Sequence, residues 1–523
     1  MILRQYDDPK LAQYAYLVGC QATGEALLID PERDIDRYDH AASAEGLRIT
    51  AVAETHIHAD FLSGAREFGE RRGVRLYLSA EGGDTWQSNW ARGERADGTP
   101  YDVTFLRHGD TFRIGNIEVR ALHTPGHTPE HLSLVVVDRG GGASTPIGVA
   151  TGDFVFVGSL GRPDLLEQAA GIEGAQDASA RELYSSLPTF TGLEDHLQVW
   201  PGHGAGSACG KGMGAVPMST VGYEKRYNAA LAEADDGEAH FVSAILAGQP
   251  EPQMYFARMK RDNRDGPPLL GELPRPRRLD AQGLAAAVAD GAWTVLDTRL
   301  DRAAFMARHL PGALHAPLNR SFNAVVGSLV VDEATPFLLI VEEARVEEAV
   351  RDLVRIGFDA VPAFATPTTL EAHFAAGGEH ATIPQASFED VRDLRSDPRM
   401  RVLDVRFASE YEEGHIPGAA NASYTRLPAY LSERVPPEGT LVVHCQTGAR
   451  SAAAAAYLAR QGRDVLYVGE PWSAWVAAGG PVARGAAGPA AGDTDQATGD
   501  ENQAAGDKIE RGAGGEPAVA ESA

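Results

Sequence analysis

The stretch from Thr55 to Phe61 reads T-H-I-H-A-D-F and sets two histidines and an aspartate at alternate positions. It follows the largely apolar run from Ile49 to Ala53, so we expect a loop at the end of a buried strand, where metals and catalytic groups are usually held. In a His-x-His-x-Asp-His loop, the first two histidines serve one metal position and the Asp-His pair serves a second. Here the last place is Phe61, whose side chain has no lone pair to donate. The loop therefore predicts a site for a single metal ion.

Four more polar clusters each follow an apolar run in the first half of the chain. They are H-T-P-G-H-T-P-E-H (His123 to His131), T-G-D-F-V-F-V-G (Thr151 to Gly158), G-R-P-D (Gly161 to Asp164) and P-G-H-G (Pro201 to Gly204). Short β-rich runs alternate here with helical stretches and glycine turns, which is typical of a layered α/β domain. We expect all of these clusters to meet on one rim of the sheets.

Taken in this order, the clusters resemble those of the metallo-β-lactamase fold, an αββα sandwich, and the resemblance covers about the first half of the chain. Within that superfamily they are similar to the persulfide dioxygenases, in T-H-x-H-A-D, P-G-H-T, T-G-D and G-R-x-D. The resemblance implies that His56, His127 and Asp153 hold one ferrous ion per chain. The positions that ligate in dinuclear relatives and lie beside the metal in mononuclear ones are His58, Asp60 and His203.

Two imidazoles and one carboxylate on one face of an octahedral ion leave the opposite face open for substrate and O₂, as in non-haem iron oxygenases. Zinc hydrolysis has a different requirement, a metal-bound hydroxide that is often bridged between two ions, and the phenylalanine at position 61 weakens that option. A zinc site made by His56, His58 and His127 stays open, because zinc binds such ligands more tightly than ferrous iron does.

Three further groups lie close to these clusters in the sequence. Arg162 resembles a family position where a cation meets a carboxylate of the thiol carrier, with an ion pair to Asp164 as the alternative. Cys209 lies in a glycine-rich loop near Lys211, which favours a thiolate and makes this cysteine a candidate for handling a persulfide; an inert cysteine is the alternative. We expect the histidines at the two ends of the His123 to His131 cluster to be strand-end residues rather than ligands.

An internal repeat occupies the second half of the chain. V-L-D-T-R (Val295 to Arg299) followed by R-H-L-P-G-A (Arg308 to Ala313) recurs as V-L-D-V-R (Val402 to Arg406) followed by G-H-I-P-G-A (Gly414 to Ala419). Two copies of one α/β module are the natural interpretation.

The second copy continues into L-V-V-H-C-Q-T-G-A-R-S, Leu441 to Ser451, and then an alanine-rich helix. Backbone N–H groups in such a short loop, together with the helix N-terminus, stabilise a thiolate at Cys445. This copy resembles the rhodanese sulfurtransferases, in which the matching cysteine carries a persulfide. The resemblance implies that Cys445 and Arg450 are catalytic, and that the substrate-binding loop is formed by Gln446, Thr447, Gly448 and Ala449.

The first copy has no cysteine at the matching place. Its strand, Pro336 to Val341, runs into Glu342 and Glu343, whose carboxylates would repel a thiolate or sulfite. We therefore expect an inactive rhodanese-like domain. The predicted organisation is a metallo-β-lactamase-fold domain at 1–262, a linker at 263–276, the inactive rhodanese-like domain at 277–378, the active rhodanese domain at 383–482 and a disordered acidic tail at 483–523.

Composition limits the class of protein. The chain has 523 residues and a formal net charge of -26, which disfavours nucleic acid and favours small-molecule partners. The N-terminus lacks the features of a signal peptide, and no stretch is apolar enough to span a membrane. Three cysteines cannot form a disulfide framework, so we expect a cytoplasmic protein. Whether it forms a homo-oligomer is left open.

The order of the domains resembles the bacterial persulfide dioxygenase-rhodanese fusions of sulfide detoxification. The resemblance implies that the iron site oxidises the persulfide of glutathione or a similar thiol with O₂ to sulfite and thiol. Cys445 then passes sulfane sulfur to sulfite and makes thiosulfate, or runs that exchange in reverse. Three alternatives stay open: a thiolester hydrolase of the glyoxalase II kind fused to a sulfurtransferase, a sulfurtransferase with an inactive metal domain, and a non-enzymatic sensor.

Overall fold

The structure is a computed structural model that describes residues 1–165, 174–394 and 396–486. Its first half contains two six-stranded sheets. The first sheet has the order β1-β2-β3-β4-β5-β6, antiparallel from β1 to β3 and parallel from β3 to β6. Its strands are β1 (Ile2–Asp8), β2 (Gln13–Cys20), β3 (Glu25–Ile29), β4 (Arg48–Ala53), β5 (Arg75–Ser79) and β6 (Val103–Leu106).

The second sheet has the order β14-β13-β10-β9-β8-β7, and only β10 and β13 in it run parallel. A two-stranded ribbon, β11 with β12, follows β10. The strands are β7 (Thr111–Ile114), β8 (Ile117–His123), β9 (Leu132–Asp138), β10 (Gly148–Gly152), β11 (Val155–Phe156), β12 (Ser159–Leu160), β13 (Gln198–Pro201) and β14 (Ser219–Thr220).

Helices cover the outer faces of the two sheets. The α-helices of this half are α1 (Asp36–Ala44), α2 (Ala65–Arg72), α3 (Ala175–Thr191), α4 (Val221–Tyr227), α5 (Ala229–Ala232), α6 (Glu238–Leu246) and α7 (Phe256–Asp265). One apolar core lies between the sheets, and two others lie between a sheet and its helices. Strand β2 is buried along its whole length, because it lies inside one sheet and has an apolar layer on each face. The predicted αββα sandwich is confirmed.

The second half contains two five-stranded parallel sheets of the same topology, β15-β19-β18-β16-β17 and β20-β24-β23-β21-β22. The first consists of β15 (Arg277–Arg278), β16 (Thr294–Asp297), β17 (Leu314–His315), β18 (Phe337–Ile340) and β19 (Ala363–Ala365). The second consists of β20 (Gln385–Ala386), β21 (Met400–Asp404), β22 (Ala420–Asn421), β23 (Thr440–His444) and β24 (Val465–Val468). The repeat read from the sequence therefore corresponds to two rhodanese-like α/β modules.

The helices of both modules pack on these sheets. In the first module they are α8 (Ala281–Asp290), α9 (Arg302–Ala307), α10 (Phe322–Leu329), α11 (Val346–Arg355) and α12 (Pro367–Ala375). In the second they are α13 (Phe388–Leu394), α14 (Ala408–Glu413), α15 (Leu427–Tyr430), α16 (Ala449–Arg460) and α17 (Trp472–Ala477). Helix α16 is buried from Ser451 to Leu458, because its run of alanines allows close packing.

The first module is joined to the αββα domain of the first half by a buried cluster of charges. Arg355 of α11 donates hydrogen bonds to Asp8 at 2.7 Å and to Asp34 at 2.8 Å, and its Nε lies 3.0 Å from Glu32. Its neighbour Arg351 reaches Asp34 at 3.0 Å. These carboxylates are almost fully buried, so they depend on these arginines, and on Arg37 at 2.7 Å from Glu32, for compensating charge.

The predicted end of the first domain lies inside a helix rather than in a linker. Helix α7 runs from Phe256 to Asp265 and so continues past the predicted end of the first domain at 262 into the predicted linker. Most of the predicted acidic tail, 487–523, lies outside the described residues. Every helix that the structure describes is too short or too polar to traverse a lipid bilayer.

Candidate functional site

The loop after β4 is held by side chains from three other parts of the chain. Asp30 accepts hydrogen bonds from the backbone N–H of Thr55 at 2.7 Å and from its hydroxyl at 2.8 Å. Glu130 accepts from the N–H of Ile57 at 2.8 Å, and Asn263 donates to the carbonyls of His58 at 2.8 Å and Phe61 at 2.7 Å. The loop is therefore fixed before any metal binds, as a coordinating loop requires.

His56, His127 and Asp153 come together as predicted from the resemblance, and their ligand atoms lie within 4.8 Å of one another. Asp153 Oδ2 is 3.9 Å from His56 Nε2 and 3.5 Å from His127 Nε2. The Nδ1 of His127 lies 3.0 Å from the carbonyl of Arg162, which leaves Nε2 to face Asp153. Burial lowers the pKa of both imidazoles well below the usual range, so both are neutral and able to donate a lone pair.

Asp153 itself has the surroundings of a metal ligand. Both of its carboxylate oxygens are buried and make no hydrogen bond within the described residues. Burial raises its pKa to about 6, although His203 opposes this shift. A Cβ at Gly202 would come within 2.5 Å of Oδ1, so this glycine keeps space open beside the carboxylate. A cation between the carboxylate and the imidazoles would satisfy all of these groups.

A second group, Asp60, His203 and Cys209, lies next to the first. His203 Nε2 is 3.4 Å from Asp60 Oδ2 and 3.5 Å from Asp153 Oδ1, so Asp153 faces both groups. The chain thus presents His/Asp sites suited to metal, and their adjacency leaves room for one ion or two. Phe61, predicted to be unable to bind a second ion, is fully buried with its ring 4.3 Å from that of His58.

His58 belongs to a third group, with Asp30 and Glu54. Its Nε2 lies 3.1 Å from Glu54 and 3.3 Å from Asp30. Although burial opposes protonation, these two carboxylates raise the pKa of His58 well above its usual value. A zinc site made by three histidines would require His58 to leave both carboxylates, so this geometry does not favour it.

Arg162 is buried in the ion pair that the sequence left as an alternative. Its guanidinium forks onto Asp164 at 2.8 and 2.5 Å and also donates to the carbonyl of Ala208 at 3.1 Å. These contacts leave this arginine engaged within the protein rather than directed at a carrier. Through its own carbonyl, it instead orients the His127 ring.

Cys209 lies beside the metal groups, but its thiol is not activated by Lys211 as the sequence suggested. We expected Lys211 to favour a thiolate, and this was wrong: Lys211 Nζ donates to the carbonyl of Ala247 at 2.8 Å. Burial, followed by the charges of Asp60 and Asp153, raises the pKa of the Cys209 thiol well above its ordinary value. In the absence of a metal this cysteine is therefore a neutral thiol.

The flanking histidines have the structural roles expected of them. His123 ends β8, and its Nε2 lies 2.8 Å from the carbonyl of Pro129. His131 precedes β9, and its Nε2 accepts a hydrogen bond of 3.0 Å from the backbone N–H of Asp153. This contact helps to fix the Asp153 side chain, a supporting role that the sequence did not indicate.

Helix α7 supplies site residues that sequence reasoning missed. We took the charged run after Arg258 for the exit from the domain. Met259, Lys260 and Asn263 on that helix are nevertheless buried, and Asn263 binds the metal loop. The spacing of Phe256, Met259 and Asn263 along one helix face was the available signal.

The loop of the second rhodanese-like module has the compact form expected for sulfur transfer. Cys445 follows β23, is fully buried, and its Sγ accepts a hydrogen bond of 3.2 Å from the N–H of Gly448. Gly448 has φ 83°, and a Cβ there would lie 2.3 Å from the carbonyl of Gly469, so only glycine fits. Ala449 and Arg450 then begin α16.

Other contacts tie this loop to its surroundings. The carbonyl of Gln446 accepts a hydrogen bond of 2.9 Å from the N–H of Trp472, and that of Thr447 accepts one of 3.0 Å from Arg302 of the first module. Arg450, predicted to meet an anionic acceptor, forks onto Glu410 at 2.5 and 2.7 Å. The guanidinium therefore faces an anion, which in this structure is a side chain of the protein.

The first module has no thiol at the equivalent place. Its strand β18 ends at Ile340, and Glu343 that follows pairs with Arg278 at 2.9 Å. A carboxylate thus lies where the second module has its loop.

Comparison with protein families gives two matches. Residues 8–203 match the metallo-beta-lactamase superfamily, and residues 387–478 match the rhodanese-like domain. The crystal structure of a metallo-beta-lactamase from Staphylococcus aureus subsp. aureus COL is 36% identical with a TM-score of 0.60, and the match covers 70% of this chain and 98% of that one.

Curated relatives are more distant and match over the first half. A beta-lactamase hydrolase-like protein of Xylella fastidiosa (strain 9a5c) is 28% identical over 292 residues, 51% of this chain and 60% of that protein. The mitochondrial persulfide dioxygenase ETHE1 of Bos taurus is 28% identical over 207 residues, 39% of this chain and 68% of that protein. The chain thus spans only about 60% of the length of the hydrolase-like relative.

Proposed function

We propose that this chain, which belongs to the metallo-β-lactamase superfamily and carries a rhodanese domain behind it, oxidises thiol persulfides and then transfers sulfane sulfur. In the first reaction RSSH, O₂ and water give RSH, sulfite and two protons. The S–S bond breaks, the sulfur pair loses four electrons to O₂, and the carrier leaves as its thiol. The carrier is glutathione or a similar small thiol, in a cytoplasm that keeps the three cysteines reduced.

The observation that carries the proposal is the buried group of His56, His127 and Asp153: two neutral imidazoles, and a carboxylate that accepts no hydrogen bond from the part of the chain that the structure describes. A single ferrous ion held there would supply open coordination positions at which a persulfide sulfur and O₂ react together. The residues around it keep the group in shape: Asn263 and Glu130 fix the loop, and the carbonyl of Arg162 orients His127.

The second reaction belongs to Cys445. A persulfide on this cysteine loses its outer sulfur to the lone pair of sulfite, which breaks the S–S bond, releases thiosulfate and leaves the Cys445 thiolate. The N–H of Gly448 and the start of α16 stabilise that thiolate. Two active domains on one chain raise the effective concentration of the sulfite that they share.

The test is anaerobic purification, metal analysis, and oxygen uptake with glutathione persulfide. We expect about one iron per chain, and we expect Asp153→Ala to remove both the iron and the oxygen uptake. Cys445→Ala should keep oxygen uptake and lose thiosulfate formation, whereas Cys20→Ala, remote from both sites, should change neither. If Asp153→Ala kept its oxygen uptake, or if Cys445→Ala lost it, the assignment would be wrong.

A dinuclear thiolester hydrolase is the second candidate, and the adjacency of the Asp60, His203 and Cys209 group to Asp153 is the observation that favours it. It predicts two zinc ions per chain, hydrolysis of S-lactoylglutathione, and no oxygen uptake with persulfide. The same preparation decides between the two candidates.

A further inference from the structure

A cavity of about 760 Å³ lies between the metal domain and the first rhodanese-like module, and neither family resemblance assigns it. One side is formed by Trp86 and by residues of α7, and the other by the end of α10 and the segment after it, from Gly327 to Glu333. Its volume is within the range of roughly 300 to 1,000 Å³ that is usual for small-molecule sites.

The lining is strongly basic for a chain of net charge -26. The charged residues that line it are Arg258, Lys260, Arg261, Arg264 and Glu333. Three of the arginines are already paired: Arg258 with the carbonyl of Ile356 at 2.7 Å, Arg261 with Asp262 at 2.8 Å, and Arg264 with Asp265 at 2.7 Å. The side chains of Arg261 and Arg264 remain 53% and 42% exposed, so they can still attract an anion at the entrance to the cavity.

Lys260 is the exception. It is only 6% exposed, yet among the described residues its Nζ has neither an ion pair nor a hydrogen bond, and lies 4.4 Å from the ring centroid of Trp86. The Trp86 ring is a weak partner for an ammonium that is largely buried, and burial lowers the pKa of Lys260 to about 8, although Glu130 and Cys209 oppose that shift. An anionic ligand in the cavity would provide the hydrogen-bonded charge that the ring does not.

Two residues that line the cavity, Tyr255 and Trp86, also lie close to the metal groups or to the loop that carries them. Tyr255 is buried, its hydroxyl makes no hydrogen bond within the described residues, and Asp60 and Cys209 are close enough to add to the effect of burial in raising its pKa. On the other side, a Cβ at Gly82 would meet both Trp86 and Glu130, so Trp86 packs beside the residue that holds the metal loop. A ligand on Lys260 would therefore have its far end near the metal groups.

We propose that this cavity binds the carrier half of the persulfide substrate, a small thiol with at least two anionic groups, and that Lys260 meets one of those groups. The proposal rests on the persulfide chemistry proposed above. Lys260 and Arg264 lie one helical turn apart on α7, so two anionic groups of one small molecule can meet both. The inactive module then has a binding role, because it builds one wall of the site.

Unreactive analogues test the site without turnover. S-methylglutathione supplies carboxylates and S-methyl-coenzyme A supplies phosphates, and calorimetry on the iron-loaded full chain under argon measures the binding of each. We expect Lys260→Gln to weaken the probe that binds by roughly tenfold or more, since a hydrogen-bonded charge is lost. Lys225→Gln, at a lysine paired with Asp195 on the surface, should bind like the unaltered protein. The probe that binds identifies the source of the anion.

One further variant and one kinetic measurement complete the test. Arg264→Gln, at a partly exposed position that tolerates change, should weaken binding by a smaller factor, which guards against misfolding of the Lys260 variant. With persulfide and O₂, Lys260→Gln should raise KM by a similar factor while kcat stays close to that of the unaltered enzyme.

The results separate the two proposals. If neither probe binds the unaltered protein, or if Lys260→Gln binds and turns over unchanged, the carrier site is overturned while oxygen uptake can stand. If no oxygen is consumed but binding still depends on Lys260, the dioxygenase fails and an anionic-thiol site remains.

Discussion

Replacing Arg355 by methionine should undock the first rhodanese-like module from the metal domain. This arginine pairs with Asp8, Glu32 and Asp34, and its side chain is 8% exposed while theirs are at most 1%. Arg37 also reaches Glu32 and Arg351 also reaches Asp34, so Asp8 is the carboxylate that the replacement leaves least compensated. Removing one partner of a buried ion pair costs about 3 to 5 kcal/mol, because the other charge stays buried without compensation.

The lower part of that range is the better expectation. Burial raises the pKa of Glu32 well above its usual value, so this carboxyl can take up a proton when Arg355 is lost and reduce the remaining charge. A cost of about 3 kcal/mol still shifts the docked-to-undocked ratio by roughly a hundredfold.

Two measurements follow from undocking. Limited proteolysis should cut faster in the connection between α7 and β15, residues 266–276, and carrier affinity should fall because the wall from Gly327 to Glu333 moves away. Arg278→Met is the matched control: its partner Glu343 is in the same module and both are more than half exposed, so about 0 to 1 kcal/mol is expected. Equal proteolysis of the two variants would refute the reasoning.

Three further changes have defined outcomes. Gly448→Ala should abolish thiosulfate formation with oxygen uptake retained, because its Cβ would strike the carbonyl of Gly469 at 2.3 Å; a fully active variant would contradict the strained loop. Glu410→Gln should lower the KM for sulfite several-fold, since it removes the anion that pairs with Arg450; steady-state transferase kinetics check this, and a higher KM would count against it. Binding of S-methylglutathione should weaken as pH rises from 7 to 9, because Lys260, with a pKa lowered to about 8, loses its charge in that interval, and Lys260→Gln should show a flat profile by calorimetry.

Site residues could be predicted from the sequence where a single short segment supplies them. The spacing in T-H-I-H-A-D and the loop after Cys445 are short, and each depends on a strand end and a turn that the same segment forms. The repeat was equally accessible, because its two copies share both residues and strand order. The number of metal ions is not decided by the positions of the ligands, because Asp153 faces both His127 of the first group and His203 of the second.

What the sequence could not indicate depends on packing between distant segments. Lys260 and Asn263 lie in a run so rich in charge that it resembled a connector, and only the contact of α7 with the loop at His58, some two hundred residues away, gives them a role. For the same reason the surroundings of Cys209 were misread. Lys211 is its sequence neighbour, but the Asp60 and Asp153 carboxylates are the charges that reach its thiol.

The first rhodanese-like module contacts both of its neighbouring domains. It presents Gly327 against the ring of Tyr255, where a Cβ would come within 2.3 Å, and its Arg302 donates to the carbonyl of Thr447 in the sulfur-transfer loop. Arg460 of α16 donates back to the carbonyl of Gly312 at 2.6 Å. In the proposed reactions a further reactive cysteine would compete for the persulfide sulfur, whereas this module, with Val341 at the position that matches Cys445, can align the two sites without taking part. Its contacts with both neighbours therefore suit the first copy to a scaffolding role that requires no thiol of its own.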